Sequence, residues 1–444
     1  MIRQLQGEFP ELQLIPFVNL LGHFEGMIYT EEGKKFRESR FQGLQACPSN
    51  SDFVYLCTGI LNDIVEIFDS EIIHIGGDET SQLGQCETCK ASVESSEGDG
   101  KAALYGSHFG PLAQLVVEKG RRPAVWGDMF LEHPEALSHM PKETLIFDWQ
   151  YFNGIKDSAQ KFLDKGFEVV GCPALQTYNA TWLHLTESEE NVLEVTKNAL
   201  DLKCHGVCVT TWENALFGSY DTILPAIEAS GAILNGTSKR FLESYDQVSE
   251  RYGLWAEMMG VRLQEAGGCF AHSKTRSSLK VRLLLNANPF LAWLHHGDEL
   301  SGEVGNAAWQ ICDEALQIAP DEATKGISFF GRSAIEFVQI AERARGHYAK
   351  GETEKALGVL SVTRKLFDDL ENVAKRTHER IGGSLADIER CRTAKRHIET
   401  VLQRIRQFGD GSLGYLPAFE HITHQKFAPH DQGAWWLINK WANE

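Results

Sequence analysis

Two adjacent carboxylates, Asp78 and Glu79, close the string His74-Ile75-Gly76-Gly77-Asp78-Glu79. Two acids side by side at the end of an apolar run are costly unless one is held partly neutral. A second negative charge and burial by aromatic rings both raise a carboxyl pKa. A carboxyl that keeps its proton near neutral pH can act as a general acid. Gly76 and Gly77 leave room beside the pair for a bulky ligand or for a backbone angle that side chains disfavour. The plain alternative is a strand-to-loop junction with a helix-capping Asp.

Aromatic residues recur in comparable positions. Trp126, Trp149 and Trp212 each follow an apolar run, with Tyr151 and Tyr178 nearby. Sugar rings have apolar C–H faces and polar edges, so sugar sites combine flat aromatics with carboxylates. Any one Trp reads as ordinary packing. The set, together with the Asp-Glu pair, reads as a sugar pocket.

The elements that must position these residues alternate in type. Strand-like apolar segments fall at 12–20, 72–75, 123–126, 144–149, 168–172 and 206–212. Helical spacing appears between them at 53–68, 102–119 and 189–202. Alternation of this kind implies parallel strands joined by crossover helices. The chemistry-bearing residues follow the strands in order. They are Gly22-His23, Gly77-Asp78-Glu79, Trp126-Gly127-Asp128, Asp148-Trp149-Gln150-Tyr151, Gln176-Thr177-Tyr178-Asn179 and Trp212-Glu213-Asn214. Turn chemistry favours Gly, Asn, Asp and Ser rather than repeated Trp and Tyr. In a (β/α)8 barrel one shared site lies at the C-terminal ends of the strands. The expected fold class is therefore α/β, a TIM-type (β/α)8 barrel. Such a barrel has eight strands and six are found, so the first two βα units are expected to be absent, as in a chain truncated at its start. Exposed edges of that kind favour association, and a homodimer is a plausible outcome.

Beyond about residue 238 the strand signal stops. Helical patterns cover 239–252, 254–265 and 334–350, and a hairpin of helices at 355–381 and 385–405 turns at Gly382-Gly383. The expected domains are a catalytic barrel over 1–236 and an all-α region over 237–444. The tail at 433–441, rich in Trp, is expected to pack on a neighbouring surface.

A chain of 444 residues exceeds what one hydrophobic core usually serves. Apolar residues at 43% and charged residues at 23% place it among globular proteins. A net charge of −18 argues against nucleic acid as a partner. No apolar run is long enough to span a bilayer, and the first residues do not read as a signal peptide. Ten scattered cysteines suit a reducing, cytoplasmic compartment, unless a leader precedes this sequence. Cys86-Glu87-Thr88-Cys89 invites a zinc reading, but no second Cys-x-x-Cys lies at a suitable spacing, and no metal is expected there. Cys204, His205 and Cys208 read as buried, and His295, His296, His421 and His424 as structural. No phosphate-binding glycine loop is present, and no cofactor is implied.

The strings PFVNLLGH, IIHIGGDE, AVWGDM, FDWQY and TTWEN together resemble glycoside hydrolase family 20, the β-N-acetylhexosaminidases, and within it the branch of hexosaminidase D and its bacterial relatives. The resemblance covers about residues 1–235. It implies an exo-acting hydrolase releasing terminal GlcNAc or GalNAc from glycans or glycoconjugates, with retention, by substrate-assisted catalysis through an oxazolinium intermediate. Glu79 would be the acid/base and Asp78 would orient the acetamido group. Tyr178 would hydrogen-bond the acetamido oxygen. Trp126, Trp149 and Trp212 would wall the pocket, with Asp128 and Tyr151 among the substrate-binding residues. His23 would support the acid/base network. The sequence departs from the family at Trp212-Glu213-Asn214, where many members have Trp-x-Glu, so whether Glu213 or Asn214 meets sugar stays open. The arginine that the family's first strand carries has no counterpart. The alternatives are a sugar-binding protein with impaired catalysis and an inactive fragment of such an enzyme.

Overall fold

The computed structural model describes residues 2–39, 45–176, 180–212, 220–237, 240–267, 270, 289–382 and 385–407. The chain packs as two compact units. One comprises Met1–Pro173 with Glu194–Cys208, the other Ala174–Leu193 with Val209–Glu444. Residues 174–193 and 209–236, grouped with the catalytic segment in the sequence reading, thus pack with the helical part.

The first unit is built on five parallel strands in sequential order: β1 (Ile72–His74), β2 (Arg122–Trp126), β3 (Leu145–Trp149), β4 (Glu168–Cys172) and β5 (Gly206–Val207). Their side chains alternate between two buried faces, which is why the strands read as continuous apolar runs. Ile73, Val125, Ile146 and Val169 face the crossover helices, including Ser51–Ile67, Gly100–Glu118 and Lys156–Asp164. Ala124, Trp126, Leu145, Phe147, Val170 and Cys172 line the opposite face. The helix starts follow from capping: Asn50 and Asp99 accept hydrogen bonds from the first turns of the helices they precede.

The expected first strand, 12–20, is mostly not one. Only a short stretch runs beside β1, through Val18 N–H to the His74 carbonyl (3.0 Å), His74 N–H to the Pro16 carbonyl (2.9 Å) and a Phe17–His74 bridge. Leu12 and Ile15 are exposed, so this stretch lacks the buried faces that extend a strand. The last strand is also shorter than its apolar run, with a separate parallel bridge from Ala174 to Thr210. Among the described residues the sheet is open.

The second unit is helical around a core that includes Trp182, Phe241, Tyr245, Trp255, Phe330 and Phe367. The pattern at 334–350 belongs to a longer helix, Glu322–Tyr348, and Pro289–Leu300 and Glu303–Ile318 are helices the sequence reading did not assign. The pattern at 239–252 is interrupted at Ser249, whose side chain caps Glu250–Glu257. The hairpin is present as Thr353–Ile381 and Leu385–Gln407, the first helix ending at Gly382 with φ 69°. Ion pairs Arg364–Glu399, Lys395–Asp368 and Arg392–Glu371 join the two helices in opposite order, as antiparallel neighbours require. Part of their charge is therefore paired between the two helices. The tail at 433–441 lies outside the described residues.

Candidate active site

Both carboxylates sit on a tight loop beyond β1. Gly76 and Gly77 have φ of 76° and 106°, and Glu79 itself has φ 47°. A Cβ at Gly77 would lie 2.5 Å from the Tyr105 hydroxyl, and one at Gly76 would lie 2.7 Å from Asn19 Oδ1. The glycines are therefore required by backbone angle and by close packing. Tyr105, fully buried, donates its hydroxyl to the Gly77 carbonyl at 2.7 Å and holds the loop from below. Gly22 approaches the same loop so closely that a Cβ there would meet the Asp78 carbonyl at 2.4 Å. That approach delivers His23, also at positive φ (50°), to the acids. Left-handed backbone at two non-glycine residues in one small site is strain of the kind that concentrates where function is held in place.

His23 Nε2 lies 3.3 Å from Asp78 Oδ2 and 3.1 Å from Glu79 Oε2. Burial by itself would lower the pKa of this imidazole. Hydrogen bonds to Asp78 and Glu79, with their charges, outweigh it and push the group up to about 10. An imidazolium between the acids is thus the device that lets them sit together. The two acids differ in surroundings. Glu79 has a side chain 47% exposed, whereas Asp78 is buried, and among the described residues its Oδ1 has no hydrogen-bond partner.

Asp128 braces the loop. Its Oδ2 accepts the Glu79 N–H at 2.9 Å and its Oδ1 accepts the Trp149 indole N–H at 3.2 Å. Burial chiefly, with the charges of Asp78 and Glu79, pushes its carboxyl up to about 7 against the lowering effect of those two hydrogen bonds. The strongly raised carboxyl beside the pair is thus Asp128. Both its oxygens are engaged by protein donors, a positioning arrangement that the sequence reading, which gave it to substrate, did not foresee.

The aromatic residues divide. Trp149 is half-buried and stacks on Tyr151 with ring centres 5.0 Å apart. Trp126 is buried on the inner face of the sheet against His74, at 4.5 Å, and also contacts Phe17 and Phe147. His74 accepts the Gly76 N–H on Nδ1, and burial lowers its pKa to about 3, so it is a neutral packing group. Trp212, 42% exposed, belongs to the second unit. Tyr178 and Glu213 lie outside the described residues. Tyr105 was missed by the sequence reading, since a Tyr within an apolar helix carries no sign of a distant carbonyl.

The site thus joins paired acids on a strained loop at a strand end, a histidine between them and a stacked aromatic pair alongside. Residues 23–214 match the glycosyl hydrolase family 20 catalytic domain. A β-hexosaminidase of Akkermansia muciniphila is 26% identical over 92 residues, 20% of this chain and 19% of that protein. Among solved structures, the β-N-acetylhexosaminidase of Bacteroides fragilis is 15% identical with a TM-score of 0.43, over 58% of this chain and 56% of that one. The family 20 exo-β-N-acetylglucosaminidase of Vibrio harveyi, solved with N-acetylglucosamine, is 16% identical with a TM-score of 0.43, over 55% and 43%. The chain thus spans about a fifth of the curated relative and about half of each of these two structures. No helix among the described residues is long and apolar enough to cross a membrane.

Proposed function

We propose that this chain carries the active site of an exo-acting β-N-acetylhexosaminidase that releases terminal GlcNAc or GalNAc from glycans by a retaining, substrate-assisted route. On this reading the parallel sheet is part of a (β/α)8 barrel. The observation that carries the proposal is the contrast between the two acids. Asp78 Oδ1 is a buried acceptor without a partner among the described residues, and Glu79 beside it faces outward. A buried acceptor left unmet costs stability unless a ligand donor arrives. The N–H of a 2-acetamido group is such a donor.

In this mechanism the acetamido carbonyl oxygen attacks C1 while the C1–O bond to the aglycone breaks. Glu79 gives its proton to the leaving oxygen. Asp78 accepts the acetamido N–H, turns the carbonyl towards C1 and stabilises the positive charge of the oxazolinium. Water then attacks C1, Glu79 takes its proton, and the ring opens to the β-sugar. His23 and Asp128 position the two acids, and Trp149 with Tyr151 offers an aromatic face to the sugar.

The test is hydrolysis of aryl β-N-acetylglucosaminides and galactosaminides, with NMR of the first-formed anomer and calorimetric titration with a thiazoline mimic of the oxazolinium. Retention, with the thiazoline bound far more tightly than GlcNAc, is expected. Inversion, or thiazoline binding no tighter than free sugar, would remove the acetamide from the mechanism.

A further inference from the structure

A second cluster lies just past the catalytic loop. Glu38, Cys47, Cys86 and Cys89 bring four potential ligand atoms within 4.8 Å of one another. Cys47 Sγ is 3.6 Å from Cys86 Sγ and 3.5 Å from Cys89 Sγ, and Cys89 Sγ is 3.3 Å from Glu38 Oε2. A tetrahedral zinc ion with Zn–S bonds of about 2.3 Å separates its sulfur ligands by about 3.8 Å. The cluster has that size before any adjustment. A disulfide would need two sulfurs at about 2.05 Å, and the three cysteines are free.

The surroundings also suit a cation. Glu38 is 3% exposed, and no basic side chain of the described residues pairs with it. Its second oxygen, Oε1, accepts the backbone N–H of Gln85 (2.8 Å) and Cys86 (3.0 Å), which fixes the carboxylate with Oε2 turned to the thiols. Cys86 caps the helix Glu87–Ser95, its sulfur accepting the Cys89 N–H at 3.3 Å. Thiolates are favoured at a helix N-terminus, and hydrogen bonds of this kind orient metal ligands. Ser49 Oγ lies 3.1 Å from Cys89 Sγ as a further outer contact.

We propose that Glu38, Cys47, Cys86 and Cys89 bind a structural zinc ion. With four protein ligands and no open position, the site is closed to catalysis. The ion ties the segment carrying Glu38 and Cys47 to the start of the helix that follows Asp78-Glu79. The same two segments are already joined by Gln82 N–H to Gln45 Oε1 at 2.9 Å. Zinc thereby braces the far end of the catalytic loop.

The experiment uses the untagged chain, purified under reducing conditions without added metal, with metal measured by mass spectrometry. A stoichiometric zinc ion is expected. Exchange for cobalt should produce thiolate charge-transfer absorption and the intense visible bands of a tetrahedral site. Cys47→Ser and the Cys86→Ser/Cys89→Ser pair should each lose at least about nine-tenths of the metal. If these variants do not fold, zinc content and the cobalt spectrum of the unaltered chain decide by themselves. Zinc below about a tenth of an equivalent with no tetrahedral cobalt spectrum would overturn the site. So would a disulfide between any two of the three cysteines in the purified protein. None of these readouts depends on hydrolase activity.

Discussion

His23 offers the sharpest test of how the acids are held. Replacing it by Gln keeps a hydrogen-bond donor near the pair and removes the charge. The native imidazole is pushed from 6.5 to about 10 by partners that exist only in the folded chain. A group whose folded pKa is raised adds stability that is fully present below its unfolded pKa. That stability declines as pH rises and is gone once pH passes the folded value. The window here runs from about 6.5 to about 10. At ~1.36 kcal/mol per unit the shift sets an upper limit of about 5 kcal/mol. Glu79 is nearly half exposed, so solvent screens its share, and roughly 1–3 kcal/mol at about pH 6 is the expected effect. Unfolding midpoints of wild type and His23→Gln should differ most near pH 6, converge steadily, and meet near pH 10. Histidine NMR should show one imidazole in the wild type that keeps its proton far above the usual range, and its signal should vanish in the variant. A pH-independent gap between the two proteins, or titration of His23 near 6.5, would refute a charged histidine between the acids.

Other consequences follow from the same geometry. Glu79→Gln should lower turnover of substrates with poor leaving groups roughly 10²–10⁴-fold while the fold persists, and activity within about threefold of wild type would remove Glu79 as the acid. On the proposed mechanism Asp78→Asn should reduce kcat with little change in KM, because its charge would matter most as the oxazolinium forms, and steady-state kinetics confined to a KM effect would contradict that. Asp128→Asn sets an amide donor against either the Glu79 N–H or the Trp149 indole N–H, and should cost roughly 10–100-fold in kcat by displacing Glu79. Gly77→Ala should destabilise the protein by roughly 2 kcal/mol or more, read by thermal unfolding, since it joins φ 106° to a 2.5 Å clash with Tyr105.

Much of this architecture follows from the chain read in one dimension. Strands with two buried faces are continuous apolar runs, and Ile72–His74, Arg122–Trp126, Leu145–Trp149 and Glu168–Cys172 stand out for that reason. Their order along the sheet follows from the alternation with helices, because each crossover delivers the next parallel strand beside the last. Asp78, Glu79 and the glycines before them were legible because adjacent acids after paired glycines are costly without a use. Partnership between distant segments was not legible, since spacing along a chain does not say which faces meet. Only the fold turns His23 onto both acids, spends both oxygens of Asp128 on Glu79 and Trp149, and sinks Trp126 against His74. The cysteines show the limit most clearly. Cys86 and Cys89 supply half of the proposed zinc site, and the sequence holds no matching Cys-x-x-Cys at a suitable spacing. The other two donors are a carboxylate and a lone cysteine, separated in sequence and brought to the sulfurs by tertiary packing.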